Sequence, residues 1–248
     1  MITLSEENYL KTIFHLESRE GTAVSTNAIA EKIETKASSV TDMVKKLAEK
    51  DFVNYKKYQG VSLTKKGRST AISIIRRHRL WEVFLVDKLN FTWDEVHDVA
   101  EQLEHIKSPK LIDELDAFLE FPTHDPHGDL IPDRDGNFSK SDKIKLSKGE
   151  LDTNYKFVGV NDSSSDFLKY LDKNQIALGC QIKVLARESF DESMTILVQD
   201  NELNISKTVS NNLFIKTLYN NKINLYINNI FIYNNNFILE IGRWLTNK

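Results

Sequence analysis

The sequence predicts a mainly α-helical protein that carries a β-hairpin in its first third and short strands in its last third. Three observations lead to this prediction. Apolar residues recur at helical spacing up to about residue 120, a strand-like basic stretch interrupts them near residue 60, and alternating apolar runs follow residue 155. A chain of 248 residues can hold two or three small domains, which we predict at 1–72, 73–138 and 155–217, with a linker at 139–154.

The composition is that of an ordered globular chain. Hydrophobic residues make up 40% and charged residues 28%, which excludes a wholly disordered chain. The single cysteine, Cys180, excludes a disulfide framework and a cysteine-based zinc cluster. No secretory signal follows Met1, and no run of about 18 residues lacks polar side chains. We therefore expect a cytoplasmic protein without a membrane span.

The charge is divided unevenly along the chain. Residues 1–80 contain 15 Lys and Arg against 9 Asp and Glu, whereas residues 81–140 contain 5 against 15. A basic segment suits a polyanionic partner, and an acidic segment suits a cation. Runs of charged residues are also common on solvated surfaces without a binding role. The division alone therefore does not distinguish a functional role from chance.

The first domain is predicted to be a winged helix-turn-helix. Ser5 is a suitable N-cap for a first helix, and two shorter helices at about 26–33 and 37–50 are joined by a tight polar turn. Strand-like residues 52–57 and 61–64 then enclose a turn and predict a basic hairpin. A hairpin directly after a helix-turn-helix is a wing.

The exposed side of the third helix is rich in hydroxyl groups and lysines. Short hydroxyl side chains suit phosphates and base edges, and lysines suit the DNA backbone. The interleaved aromatic residues of a single-strand binder are missing, which favours duplex DNA, although winged helices also serve as protein-interaction modules. The predicted DNA-binding residues are Lys36, Ser38, Ser39, Thr41, Asp42, Lys45, Lys56 and Lys57.

Histidines and glutamates recur at helical spacing in the acidic middle segment. Residues three, four, seven or eight apart lie on one face of a helix. Imidazole and carboxylate donors together suit Mn²⁺ or Fe²⁺, and the thiolates that Zn²⁺ or Cu⁺ prefer are missing. The spacing therefore predicts a metal site, with a purely structural stripe as the alternative. The residues are His78 and Glu82 on one helix, and His97, Glu101, Glu104 and His105 on the next.

We predict no binding site in two further segments of the chain. The aspartates between Asp125 and Asp135 suggest a calcium loop, but the ligand spacing of an EF-hand is absent. We interpret the segment from Asp125 to Gly136 as a turn-rich connector. The asparagine-rich tail at 218–248 has no assigned role.

Six short stretches occur in a fixed order between residues 4 and 135. Together they resemble the diphtheria toxin repressor family of metal-dependent transcription regulators, and within it the manganese transport regulator branch in its three-domain form. The histidine and glutamate pattern of the middle segment is the most specific of the matches. The stretches are ENYLKTI at 7–13, SSVTDMV at 38–44, RHRL at 77–80, VHD at 96–98, EH at 104–105 and PHG at 126–128.

The resemblance implies two neighbouring metal sites. Residues Glu101, Glu104 and His105 match an activating site, whose first-helix ligand falls on Asn8, where known members have Asp or Met. An ancillary site matches His78, Glu82 and His97, with Asp166 as a further ligand from the C-terminal domain. Glu101 replaces the Cys of some relatives and favours Mn²⁺ over softer metals, with Fe²⁺ as the alternative. Lys11 replaces a Glu ligand of the short manganese regulators.

The resemblance also implies the architecture and the partners. It implies an all-α dimerisation domain, a small SH3-like β-barrel, and a homodimer that represses metal-uptake genes by binding a palindromic operator. We expect no enzyme, because no nucleophile or phosphate loop is visible and both sites are filled by protein ligands. A metal-dependent hydrolase and a winged-helix sensor of an organic ligand are the two rival classes.

Overall fold

The computed structural model describes residues 2–20, 23–57 and 59–218. The chain forms two compact units. Of the described residues, the first unit contains those up to 141 together with 162–174, and the second contains 142–161 and 175–218. Apart from Leu218, the tail predicted at 218–248 lies outside the described residues. No helix of the described residues is long and apolar enough to cross a membrane.

The first unit begins with a winged helix-turn-helix. Helix α2 is capped by Ser25, whose hydroxyl accepts a hydrogen bond from the Ala28 amide. Valine and leucine side chains at helical spacing on α3 are fully buried and form one hydrophobic core with α1, α2 and the hairpin. Strands β1 and β2 pair antiparallel with Val53 opposite Leu63. The elements are α1 Leu4–Glu20, α2 Thr26–Lys32, α3 Ala37–Glu49, β1 Val53–Lys56 and β2 Gly60–Leu63.

A long helix, α4 Lys65–Leu89, continues from the hairpin into the acidic middle segment. The Thr64 hydroxyl caps its start and Asn90, in the left-handed conformation, ends it. The boundary predicted between residues 72 and 73 therefore falls inside one continuous helix. Two shorter helices, α5 Val96–Leu103 and α6 Pro109–Phe118, pack on its second half around a core that includes Leu80, Val96 and Ile112.

The first turn of α4 lies against the backbone just before β1 at a position that only glycine can occupy. A Cβ atom at Gly67 would lie 1.9 Å from the Phe52 carbonyl oxygen, so Gly67→Ala must shift one of two backbones. We expect this variant to lose about 3 kcal/mol of unfolding free energy, measured by urea denaturation, because overpacking of this kind costs several kcal/mol. The exposed neighbour Ser69 provides the control, since Ser69→Ala should stay within about 0.5 kcal/mol of wild type. Equal midpoints for Gly67→Ala and wild type would contradict the packing described.

The second unit is a six-stranded antiparallel sheet in the order β3-β8-β4-β5-β6-β7. Phe157, Ile182 and Ile196 fill its core. A short helix, α8 Lys207–Asn212, precedes the last strand, whereas α7 Ser165–Lys173 belongs to the first unit. The strands are β3 Ile144–Lys145, β4 Asn154–Val160, β5 Gln181–Arg187, β6 Met194–Val198, β7 Asn201–Ile205 and β8 Leu213–Thr217.

Two details of the second unit differ from the sequence predictions. The expected SH3-like barrel is not closed in the described residues, because no ladder joins β3 to β7 and β3 is only two residues long. The segment predicted as a linker, 139–154, contains β3 and the fully buried Leu146. The polar composition of this segment favoured a linker, but its Leu146 side chain is buried in the second unit. Ordered structure therefore begins earlier than predicted.

Candidate metal centre

The histidines and the glutamate of the predicted ancillary site converge on one carboxylate oxygen. His78 and Glu82 lie one turn apart on α4, and the distance from His78 Nε2 to Glu82 Oε1 is 3.0 Å. His97, in the first turn of α5, places Nδ1 3.3 Å from the same oxygen and 3.2 Å from His78 Nε2. Glu82 is buried, whereas His97 is half-exposed and leaves the group open to solvent on one side.

Two residues of the loop after α6 complete this group. Asp125 and His127 lie with Glu82 in a second set of donors, all within 4.8 Å of one another, and His127 Nδ1 is 3.6 Å from Glu82 Oε1. His127 Nε2 donates a hydrogen bond of 2.8 Å to the Trp93 carbonyl, which leaves Nδ1 free to face Glu82. We call the five residues His78, Glu82, His97, Asp125 and His127 the Glu82 cluster.

Sequence reasoning missed Asp125 and His127 because they lie in a segment interpreted as a connector. The segment is indeed a turn, in which one Asp125 oxygen accepts hydrogen bonds from the backbone amides of His127 and Asp129, each 2.9 Å long. Arg79 of α4 pairs with the other Asp125 oxygen at 3.3 Å and ties the turn to the helix. The available signal was an aspartate and a histidine two residues apart, which a turn can point in the same direction.

The pKa values of His78, His127 and Asp125 in the Glu82 cluster are raised, so these groups hold their protons to higher pH, which offsets the carboxylate charge. Burial opposes the charge of His78, but hydrogen bonds to Glu104 and Glu82 outweigh it and raise its pKa to about 9. Burial likewise opposes the charge of His127, and the hydrogen bond to Glu82 raises its pKa to about 9. Burial and the neighbouring Glu82 charge raise the pKa of Asp125 to about 6. Metal ligands must be deprotonated, so a divalent ion bound here would replace these protons.

The donor set of the Glu82 cluster fits a divalent transition metal. Its three imidazoles and two carboxylates come from α4, α5 and one loop, and imidazole and carboxylate together are donors that Mn²⁺ and Fe²⁺ accept. Burial opposes the charge of Glu82, but hydrogen bonds from His127, His78 and His97 hold its pKa well below the usual range. The carboxylate is therefore already ionised and surrounded by nitrogen donors.

The residues of the predicted activating site surround a lysine. The Lys11 ammonium of α1 lies 2.8 and 2.9 Å from the two carboxylate oxygens of Glu104 and 3.6 Å from Glu101. Glu104 is fully buried, and its Oε2 is also 2.6 Å from His78 Nδ1, so His78 touches both groups. We call Lys11, Glu101, Glu104 and His105 the Glu104 pocket.

A carboxylate that sequence reasoning missed orients the histidine of this pocket. Glu7 Oε2 lies 2.6 Å from His105 Nδ1, and Lys107 lies 2.9 Å from the other Glu7 oxygen. A carboxylate on one ring nitrogen fixes the ring and leaves the second nitrogen for a ligand, and His105 Nε2 is 4.0 Å from Glu104 Oε1. Glu7 immediately precedes the predicted ligand Asn8 in α1.

The two remaining predicted ligands have different surroundings. The Asn8 side-chain oxygen is buried and has no hydrogen-bond partner among the described residues. A buried acceptor without a partner is available to bind a cation. Asp166 lies in the first turn of α7 and is a member of neither donor set. Helix α7 instead contacts the loop before α5, where the Trp93 indole donates to Asp172 over 3.0 Å.

The predicted DNA-binding residues lie on α3, at its N-cap and on the hairpin, and most of them are exposed. All are exposed except Thr41, which is partly buried and whose hydroxyl donates to the Ala37 carbonyl over 2.9 Å. Lys45 lies 3.9 Å from Asp42 on the same helix face, a weak surface pair that leaves both groups in solvent. The exposed residues are Lys36, Ser38, Ser39, Asp42 and Lys45 around α3, and Lys56 and Lys57 on the hairpin.

The fold and the site define a winged-helix protein with a buried cluster of metal-type donors in an adjoining helical domain. Family models agree with this description over three consecutive ranges. Residues 1–61 match the iron dependent repressor N-terminal DNA binding domain, and residues 64–133 match the iron dependent repressor metal binding and dimerisation domain. Residues 144–217 match the FeoA domain.

Individual relatives show the same family. A solved manganese-dependent transcriptional repressor in complex with manganese is 33% identical, with a TM-score of 0.78 over 86% of this chain and 100% of its own. The structure of the manganese regulator SloR is 35% identical, with a TM-score of 0.72 over 88% of this chain and 100% of its own. The iron-dependent repressor IdeR of Mycobacterium leprae is 36% identical over 126 residues, 51% of this chain and 54% of that protein. The chain thus spans about half the length of the curated relatives it matches.

The chain belongs to the iron-dependent repressor family, which includes the diphtheria toxin repressor, in the form that carries a C-terminal FeoA domain. The resemblance read from the histidine and glutamate pattern is confirmed.

Proposed function

We propose that the chain is a metal-activated transcriptional repressor that binds duplex DNA through α3 and the hairpin. The Glu82 cluster is the observation that carries this proposal, because four further residues with donors of metal-ligand type surround the buried Glu82 carboxylate. Helix α4, which carries two of these donors, begins directly after the hairpin. One helix therefore joins the cluster to the DNA-binding fold. Two of the relatives named above are repressors and the third is a manganese regulator, and we assign no enzymatic activity to the chain.

Each member of the cluster has a distinct role in this proposal. Glu82 and Asp125 would provide charged oxygen donors, and His78, His97 and His127 would provide neutral nitrogen donors. A bound divalent ion supplies a fixed positive charge in place of the imidazole protons. Because the donors come from α4, α5 and a loop, holding one ion fixes the arrangement of these elements. Asn8, Glu101, Glu104 and His105 form the proposed second group, and Asp166 of α7 remains a proposed further ligand outside both donor sets.

We propose Mn²⁺ as the effector, with Fe²⁺ as the alternative. Relatives named for each metal are similar to this chain, so similarity alone does not choose between them. The oxygen donors Glu82, Asp125 and Glu101, in a chain whose single cysteine is elsewhere, favour the harder ion. Imidazole donors suit Fe²⁺ as well, so the ranking is tested directly below.

The match of residues 64–133 to a dimerisation domain and the exposure of α3 support a proposal for how DNA is bound. We propose a homodimer that acts in the cytoplasm on a palindromic operator of metal-uptake genes. Two-fold symmetry places the two α3 helices in successive major-groove faces, about 34 Å apart or a multiple of that spacing. Metal binding that favours this spacing raises DNA affinity, and DNA must raise metal affinity by the same factor.

Fluorescence anisotropy on a labelled promoter fragment from the gene neighbourhood tests the proposal. The chain is titrated with Mn²⁺, then anaerobically with Fe²⁺, and with a chelator, all at fixed salt because salt sets nonspecific binding. We expect the metal to tighten binding at least about tenfold, equivalent to about 1.4 kcal/mol of coupling. Equal affinity in chelator would reject metal activation and direct attention to an organic effector. The stronger of the two metals settles the effector.

A further inference from the structure

The Glu104 pocket already contains a cation in the chain itself. The Lys11 ammonium contacts both oxygens of the buried Glu104 carboxylate and approaches Glu101, and the Lys11 side chain is only 14% exposed. This contact joins α1 of the winged helix to the end of α5, 93 residues later in the chain. An ammonium at this position makes the link that a metal would otherwise make between the first helix and the helical domain.

The charges around the pocket are balanced without a metal. Three carboxylates, Glu7, Glu101 and Glu104, face three permanent cations, Lys11, Arg77 and Lys107, and Glu104 also contacts the His78 ring. Arg77 lies 3.9 Å from Glu7 and also donates to the Glu104 backbone carbonyl. A divalent ion added to this balanced group would leave two uncompensated positive charges in a largely buried place, and such charges are costly.

The Glu82 cluster differs in what surrounds its central carboxylate. The Glu82 oxygen is approached by ring nitrogens of His78, His97 and His127, and these atoms can themselves serve as metal donors. The Lys11 ammonium is covalently attached to α1, so it can leave the pocket only if its side chain swings away. Removing the ammonium would expose Glu101, Glu104 and His105, with the unpartnered Asn8 oxygen nearby on α1.

We propose that Lys11 is a tethered competitor of the metal at the Glu104 pocket. Its ammonium holds α1 to α5 in the metal-free chain and must be displaced before Glu101, Glu104 and His105 can hold a divalent ion. The two groups therefore fill in order, with the Glu82 cluster at low metal and the Glu104 pocket at higher metal. This inference rests on the proposed function only in taking both groups to be metal sites.

Equilibrium dialysis with Mn²⁺, followed by metal analysis, tests the competition. We compare wild type with Lys11→Gln and with Lys148→Gln, a control that removes the charge of an exposed lysine outside the pocket. In Lys11→Gln the second Mn²⁺ is expected to bind at least about tenfold more tightly, about 1.4 kcal/mol, with the first unchanged. The control should match wild type in both steps. A second Mn²⁺ that binds Lys11→Gln no better than wild type would overturn the proposal.

A measurement on the wild-type chain covers the case in which Lys11→Gln does not fold. Acetylation of lysines, followed by mass spectrometry, reports whether the Lys11 ammonium is accessible. We expect slow labelling of Lys11 in chelator and with one equivalent of Mn²⁺, and labelling several-fold faster once the second equivalent binds. A labelling rate that stays constant throughout the titration would contradict displacement of the ammonium.

The outcomes separate this proposal from the proposed function. Failure of the function is seen as DNA affinity that does not respond to metal in wild type. Failure of the Lys11 proposal is seen as a second Mn²⁺ affinity that does not depend on Lys11. If Lys11→Gln gains a tight Mn²⁺ site that Glu101→Gln removes again, the proposal stands even where DNA binding is independent of metal.

Discussion

Replacing Glu82 by glutamine is expected to weaken Mn²⁺ binding at the cluster by about 100-fold or more and to abolish the metal-dependent part of DNA binding. Nitrogen atoms of His78, His97 and His127 all approach the same Glu82 oxygen, so this substitution removes the charge that the other donors share. Glutamine keeps the size of the side chain and isolates the effect of the charge. Mn²⁺ affinity is measured by competition with a fluorescent chelator, and operator affinity by anisotropy.

The matched control for Glu82→Gln is Glu114→Gln, which makes the same change at an exposed position on α6. It should leave Mn²⁺ affinity and operator affinity at the wild-type values. A loss of less than about threefold in Mn²⁺ affinity for Glu82→Gln would show that Glu82 is not the centre of a metal site. If Glu82→Gln loses Mn²⁺ binding but binds the operator with wild-type affinity, the histidine stripe is structural. The protein would then sense an organic ligand.

Replacing Ser39 by glutamate is expected to weaken operator binding by about 100-fold in the presence of Mn²⁺ while leaving Mn²⁺ affinity unchanged. Ser39 is exposed on α3, so the substitution does not disturb the core and places a carboxylate where phosphates and base edges are expected. A dimer carries the change twice, which doubles its effect on the binding free energy. Anisotropy at one fixed salt concentration measures the loss.

Ser139→Glu is the control for this variant, because it adds the same charge to an exposed serine outside the winged helix. We expect operator affinity within about threefold of wild type. If Ser39→Glu also binds the operator like wild type, the exposed side of α3 does not contact DNA. The winged helix would then serve as a protein-interaction module, and the basic surface would need another partner.

The sequence predicted those members of the candidate site whose spacing is imposed by a helix. His78 and Glu82 are four positions apart in the sequence, and α4 places them one turn apart whatever surrounds them. His97 is the first such residue of the next helix, and packing of α5 on α4 brings it to the same oxygen. Asp125 and His127 could not be found in this way, because a turn sets the directions of their side chains. That turn is stabilised by the hydrogen bond from the His127 amide to Asp125 and by the ion pair between Asp125 and Arg79.

The features that sequence reasoning missed depend on which surfaces meet. Glu7 and Lys11 lie one turn apart on α1, and only the contacts of α1 with the chain at the end of α5 show that they face His105 and Glu104. The resemblance directed attention to Asn8, which lies between them. The open sheet has a similar cause, because closure depends on whether the first and last strands meet, and β3 is two residues within a polar stretch.

Helix α4 runs unbroken from Lys65 to Leu89, with Gly67 packed on the winged helix near one end and Glu82 at the donor cluster. The distance between these two residues along the axis is about 22 Å. A helix of this kind acts as a lever, and a tilt of about 5° at Glu82 moves the Gly67 end by about 2 Å. In a homodimer two such movements add to about 4 Å, which exceeds the rise of about 3.4 Å between base pairs. A rearrangement of donors too small to alter the fold would therefore suffice to move two α3 helices into or out of register with an operator.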